Sequence, residues 1–223
     1  MSPAPTDARA DLAALCDRGI DWRLGPQRVL RNDAPARDAA VLVLFGVLDS
    51  IPAGASNAVA RDIDVLLQRR AATLSTHAGQ IAFPGGRLEP TDSDAADAAV
   101  REAVEETGLD PTGVDVLGML TPFPVPVSNH LVTPVPAWWS RPSEVAAVDH
   151  AETVETFRVP VADLVDPANR AMTEHRFEGE VYRSPAFAVD GRVVWGFTAI
   201  VLSRIFEELG WAVEWDDRRI VEP

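Results

Sequence analysis

Hydrophobic positions fall along this chain in short runs rather than in long periodic arcs. Residues 39–47 (AAVLVLFGV) and 63–68 (IDVLLQ) are nearly continuous apolar stretches rich in Val, Leu and Ile. Runs of that length, separated by the small-residue loop at 52–56, predict strands buried on both faces. Residues 80–83 predict a further strand, halted by Pro84, Gly85 and Gly86. Three more are expected at 114–120, 131–138 and 153–159, the first two interrupted by the Pro-rich turn FPVPVSN. Helical signals occur in three places. Residues 6–18 predict a short amphipathic helix ahead of a connection containing Pro26 and Pro35. Residues 93–107 predict a longer helix closed by Gly108, with Pro111 just beyond, and 195–209 a final one. Strands interleaved with two substantial helices predict an α/β (α+β) fold in which a mixed sheet lies between helices. The division expected is a helical extension over 1–37 followed by one domain over 38–223.

Charge narrows the function classes. The chain has 34 acidic residues against 20 basic ones, a formal net charge of −14. A nonspecific grip on nucleic acid or an anionic membrane would oppose that field, so neither partner is expected. Every basic residue is Arg, which excludes a P-loop lysine and a Schiff-base lysine. Cys16 stands alone, so an internal disulfide and paired-cysteine zinc are also excluded. The longest apolar run is 10 residues, too short to span a bilayer, and the acidic start is unlike a signal peptide. A soluble, cytoplasmic protein is expected.

The stretch from Gly85 carries the chemistry. At 100° per residue, Glu102, Glu105 and Glu106 fall on one helical stripe with Ala95 and Ala98. Val100 and Val104, flanked by Ala96 and Ala103, are expected to face the core. Glu102 and Glu106 repel as an i,i+4 pair by about 0.2–0.5 kcal/mol, and Arg101 offsets only part of this through Glu105. A hard divalent cation would compensate, since Mg²⁺ takes one or two carboxylates together with waters and phosphates. A solvated acidic face is the plainer alternative. Gly85 and Gly86 favour the first reading, because they predict a tight strand-to-helix turn with main-chain groups turned to a ligand.

Residues 101–109, REAVEETGL, match the REUxEExGU half of the Nudix box, and Gly86 matches its leading glycine. The chain is similar to the Nudix hydrolase family, although Asp92 replaces the box's first Glu and eight rather than seven residues separate it from Arg101. Residues 66–86, LLQRRAATLSTHAGQIAFPGG, resemble the LLTxRSxxLRxHxGQVAFPGG signature of the coenzyme A pyrophosphatase branch. Arg70, Leu74, His77, Gly79, Gln80, Phe83, Pro84, Gly85 and Gly86 coincide, whereas Gln68, Ala71 and Ser75 differ. VTPVPAW, ETVETFRVPVADL and VVWGFTA extend the likeness over roughly residues 38–210.

The resemblance implies a Nudix fold and hydrolysis of the diphosphate of CoA or acyl-CoA with Mg²⁺ or Mn²⁺. Metal ligation falls to Glu102, Glu106, Glu105 and Gly86, and Arg101 orients the carboxylates. The general base is left open among Glu102, Glu105 and Glu152. Substrate binding falls to Arg70, His77, Gln80 and Gly85. Two rivals stand beside this reading: a Nudix hydrolase of another nucleoside diphosphate derivative (ADP-sugar, NADH or capped RNA), and a silent nucleotide-sensing module. A homodimer is left open. His130, His150 and His175 have no mutual metal spacing and are expected in loops or on the surface, Glu155 on an exposed strand edge. Trp138, Trp139 and Trp195 are expected in the core or lining a groove.

Overall fold

The computed structural model describes residues 7–25, 30, 34–49, 60–72, 78–148, 151, 153–177 and 179–223. Pro26, the loop at 52–56, Leu74, Ser75, His77, His150 and Glu152 lie outside the described residues. Eight described strands form one mixed sheet: β1 (Arg37–Val47), β2 (Ile63–Arg70), β3 (Ile81–Ala82), β4 (Gly85–Arg87), β5 (Val114–Val116), β6 (Phe123–Val125), β7 (His130–Trp139) and β8 (Thr153–Pro160). β1 is central. It pairs in parallel with β7 along one edge and antiparallel with β2 and β4 along the other. β2 carries β3 and β8, and β7 carries β5 and β6.

The continuous apolar run of β1 is explained by burial on both faces. Ala40, Leu42 and Leu44 join Leu66, Val135, Ala137 and Trp139 beneath helix α2 (Ala95–Thr107). Val43, Phe45 and Val47 face the other way, toward helices α1 (Ala8–Arg18) and α4 (Gly196–Glu208). The sheet therefore lies between helices, as expected. No described helix is long and apolar enough to cross a membrane.

Several local expectations are corrected. Gly85 and Gly86 form strand rather than turn, with Val41 opposite Gly85 and Ala40 opposite Gly86. FPVPVSN opens with the paired strand β6, and the strand expected over 114–120 ends at Val116. The packed face of α2 is built from Ala98, Ala99, Ala103, Glu106 and Thr107, while Val100 and Val104 are only half-buried. Small side chains let the helix sit close to the sheet, so volume rather than hydrophobicity sets its rotation. His130 begins β7, and His175 lies on a second sheet, half-buried against Trp195.

That second sheet comprises β9 (Arg170–Phe177), β10 (Glu180–Val189) and β11 (Arg192–Val194), reached through the short helix α3 (Val161–Val165). No element was expected there. Its inward positions include Ala171, Thr173, Ser184 and Ala186, and the Thr173 and Ser184 hydroxyls satisfy each other at 3.0 Å. Small and polar inward residues dilute the alternation from which strands are read.

Helix α1 starts at Ala8 because the Asp7 carboxylate accepts the Arg9 and Ala10 N–H groups. Its Ala8, Leu12 and Leu15 are fully buried in the cluster that holds Phe123, Phe187 and Phe206. Leu12→Ala is expected to cost about 2–5 kcal/mol, as for other buried leucines. Urea denaturation should show one transition at a lower midpoint; an unmoved midpoint would make the helix an appendage rather than part of the core.

Candidate active site

Glu106 is 4 % exposed, on the face of α2 that packs on the sheet. An ionised carboxylate there needs donors. Its Oε2 accepts the Gly85 backbone N–H at 2.9 Å and the Gln68 amide at 2.6 Å. Its Oε1 lies 3.8 Å from Arg70 Nη1. Burial pushes the Glu106 carboxyl from its ordinary 4.5 up to about 7, against the pull of those partners and with the charge of Glu102 adding to the rise.

The close approach depends on both glycines. Gly85 has φ +155°, and a β-carbon there would lie 2.3 Å from the Ala40 carbonyl oxygen. At Gly86 a β-carbon would lie 2.4 Å from the Glu102 carboxyl carbon. Strand β4 is thus pressed against β1 on one side and against a site carboxylate on the other.

Arg101 orders the acidic stripe. Its Nε and Nη2 grip the two Asp92 oxygens at 2.9 and 3.0 Å, and Nη2 also donates to the Arg87 carbonyl at 3.1 Å. Nη1 reaches Glu102 at 3.1 Å and Glu105 at 3.4 Å. The hydrogen bonds from Arg101, helped by the Glu89 N–H, hold the Asp92 carboxyl down at about 2. Asp92 is therefore the internal partner of Arg101, a role that its altered spacing had obscured.

The three stripe carboxylates separate in three dimensions, with side-chain exposures of 18 % for Glu102, 60 % for Glu105 and 6 % for Glu106. Among the described residues no three His, Cys, Asp or Glu side chains are grouped to hold a metal. Glu102 and Glu106 are brought together; Glu105 is turned to solvent. Two carboxylates beside the Gly86 main chain remain a hard oxygen set suited to Mg²⁺ or Mn²⁺, which retain several waters. The Glu106 carboxyl is raised first by its burial and last by the neighbouring charge of Glu102.

Arg70 borders the pair with its Nε buried and without a hydrogen-bond partner among the described residues, and its backbone N–H donates to the Gln80 carbonyl at 3.0 Å, so Gln80 is tied to the same corner. Glu155 is not at this site: it pairs with Arg69 at 3.4 Å and Arg192 at 2.6 Å, and strand alternation sends Arg69 away from Gln68 and Arg70. Trp138 and Trp139 are buried, and Trp195 stacks on His175 at 5.2 Å. Gln68 and Thr153 were not singled out from sequence. The available signal was slight: Gln68 closes the apolar part of β2 just ahead of two arginines, and Thr153 opens a strand of mixed polarity.

Two predictions follow from this geometry. Gly85→Ala meets backbone and should lose more than about 2 kcal/mol in urea unfolding, whereas Gly86→Ala meets the movable end of Glu102 and should stay within about 1 kcal/mol while weakening divalent-cation binding. Equal losses of stability would contradict the contacts. For Glu106 the folded pKa is raised, so its contribution to metal-free stability is fully present below 4.5 and is lost as pH rises through about 7. Metal-free Glu106→Gln should therefore gain on the wild type between pH 5 and pH 8 in paired thermal melts. A constant difference across that range would refute the shift.

Comparison with known proteins agrees with this picture. A family model described as NUDIX domain matches residues 52–178. The chain is 36% identical over 150 residues to Nudix hydrolase 22, chloroplastic, of Arabidopsis thaliana, covering 64% of this chain and 49% of that protein. It is also 36% identical over 153 residues to the uncharacterized Nudix hydrolase NudL of Cronobacter sakazakii, covering 66% of this chain and 75% of the relative. The chain spans about half the length of the Arabidopsis relatives it matches, 49% and 57%. The crystal structure of a Nudix hydrolase from M. smegmatis, RenU, superposes with a TM-score of 0.50 at 19% identity, covering 84% of this chain and 97% of that one, a likeness of fold. With a family model over more than half of its length and a bacterial relative matched over three quarters of its own, the chain belongs to the Nudix hydrolase family.

Proposed function

We propose that the chain is a metal-dependent pyrophosphohydrolase that adds water across the diphosphate of CoA or acyl-CoA, giving adenosine 3′,5′-bisphosphate and 4′-phosphopantetheine or its acyl form. One observation carries the reading: the buried Glu106 carboxylate, repelled by the charge of Glu102, lies 3.8 Å from the Arg70 guanidinium. Nudix enzymes generally require divalent metals. Glu102, Glu106 and the Gly86 main chain would hold Mg²⁺ or Mn²⁺, with Glu105 at the solvent side. A cation bound there supplies neutralisation of the diphosphate oxygens and lowers the pKa of an attacking water. CoA as the substrate rests on the likeness of residues 66–86 to the signature described above.

The chain's own groups do the rest. Arg101 keeps Glu102 in place. Arg70 offers a guanidinium fork to phosphate oxygens, with Gln80 and Gly85 on the same side, and the likeness of residues 66–86 to the signature gives His77 a substrate role as well. The proton released from water is taken at a carboxylate oxygen of Glu102, Glu105 or Glu152.

The test is product analysis by mass spectrometry on CoA, dephospho-CoA, NADH and ADP-ribose with Mg²⁺. Adenosine 3′,5′-bisphosphate should form from CoA, with dephospho-CoA poorer by about 10- to 100-fold in kcat/KM if an arginine reads the 3′-phosphate. EDTA should abolish turnover, and Glu106→Gln should lower it by at least about 10²-fold. Preferred cleavage of ADP-ribose or NADH would move the substrate to another nucleoside diphosphate derivative. Full turnover without metal would overturn the reading.

A further inference from the structure

Gln68 is fully buried on β2, closing the apolar run Val65, Leu66 and Leu67 and preceding Arg69 and Arg70. It links two elements. Its Nε2 donates to Glu106 Oε2 at 2.6 Å, and its Oε1 accepts the Thr153 hydroxyl at 3.2 Å. Thr153 is itself fully buried at the start of β8.

The direction of this chain of bonds is fixed by chemistry. In the ionised form that a metal ligand requires, the Glu106 carboxylate can only accept, so the amide nitrogen faces Glu106; the amide oxygen then faces Thr153, whose hydroxyl donates. A β-bulge makes the arrangement possible. Gln68 opposes Thr156 and Arg69 opposes Glu155, yet Arg70 opposes Thr153, so Val154 is the extra residue. Val154 is 46% exposed, and Thr153 takes the inward position that regular pairing would have given to Val154. The strand irregularity thus replaces an apolar side chain with the hydroxyl that orients the amide.

We propose that Gln68, set by Thr153, is a positioning residue that fixes which Glu106 oxygen is offered to the divalent cation. Gln68 and the Gly85 N–H both engage Oε2, leaving Oε1 on the Arg70 side. Without the amide the carboxylate can rotate, and both oxygens compete for the Gly85 donor. The inference rests on the metal-dependent reading above.

The test measures Mn²⁺ binding to the full chain by the EPR signal of the free ion, with no substrate present. Gln68→Met keeps the volume and removes both bonds, and should weaken Mn²⁺ binding by about 10- to 100-fold, the usual effect of removing a group that orients a metal ligand. Thr153→Val leaves the amide in place but lets it rotate, and should weaken binding in the same direction by a smaller factor. In the double variant the Thr153 change should have no further effect. Wild-type affinity in Gln68→Met, or independent effects of the two changes, overturns the proposal. If Gln68→Met does not fold, Thr153→Val decides, and wild-type affinity in that variant overturns it as well. Glu106→Gln separates the two levels. If it leaves Mn²⁺ binding unchanged, the metal-dependent reading falls; if it abolishes binding while Gln68→Met does not weaken it, only the role of Gln68 falls.

Discussion

Holding a carboxylate between a helix and a sheet is the constraint around which this part of the molecule is organised. Removing one partner from a buried charge typically costs several kcal/mol, so the donors to Glu106 cannot be incidental. Two hydrogen bonds reach it, from the Gly85 N–H on β4 and the Gln68 amide on β2, and the Arg70 guanidinium at the end of β2 adds an opposite charge at 3.8 Å. Each makes a demand on sequence. Strand β4 can reach the carboxylate only while lying against β1, where a side chain at position 85 would meet the Ala40 carbonyl. Helix α2 can bring Glu106 close only through a face of Ala98, Ala99 and Ala103. Residues that look poorly suited to a core are those that this charge requires.

Much of the fold was legible because its central strands are buried on both faces and its helices carry their own boundaries. The β1 run is apolar at every inward and outward position, and α2 is bracketed by the Asp94 cap and the left-handed Gly108. The second sheet was not legible, since Thr173 and Ser184 satisfy each other inside it and erase the hydrophobic alternation. The site was legible as a set of carboxylates but not as an arrangement. A helical wheel gives the angles between Glu102, Glu105 and Glu106, but not which of them faces the sheet. The close packing of alanines decides that, sending Glu106 inward and Glu105 to solvent. Gly85 and Gly86 read as a turn for a related reason: from sequence, a glycine needed for close approach is indistinguishable from one needed for a bend.

Asp92 holds Arg101 in spite of its altered spacing in the box. Asp92 is one methylene shorter than the Glu expected there, and the segment leading to Arg101 is one residue longer. Both Asp92 oxygens nevertheless meet the guanidinium, and Oδ2 also accepts the Glu89 N–H at 2.7 Å, which closes the loop on itself. The short turn from Glu89 to Asp92 fixes the carboxylate, and helix α2, beginning at Ala95, brings Arg101 to it. What the loop preserves is the orientation of Arg101, whose remaining donors then steady Glu102 and Glu105.

The two site arginines are thereby divided in function by their hydrogen bonds. Arg101 has acceptors on Nε, Nη1 and Nη2, all from its own chain, and contact with Asp92 first of all makes it harder to deprotonate. Arg70 has a buried Nε without a hydrogen-bond partner among the described residues and stands 3.8 Å from Glu106, close enough to bias the carboxylate without enclosing it. A net charge of −14 opposes any anionic ligand at a distance. At physiological salt that field is screened over about 8 Å, whereas contacts inside a partly desolvated cleft are screened much less. An anionic ligand reaching Glu102 and Glu106 would therefore depend on a local cation and on Arg70, not on the charge of the whole molecule. Under the function proposed above, discrimination would likewise be local: ligands of equal charge would be distinguished by whether their oxygens reach the Arg70 guanidinium.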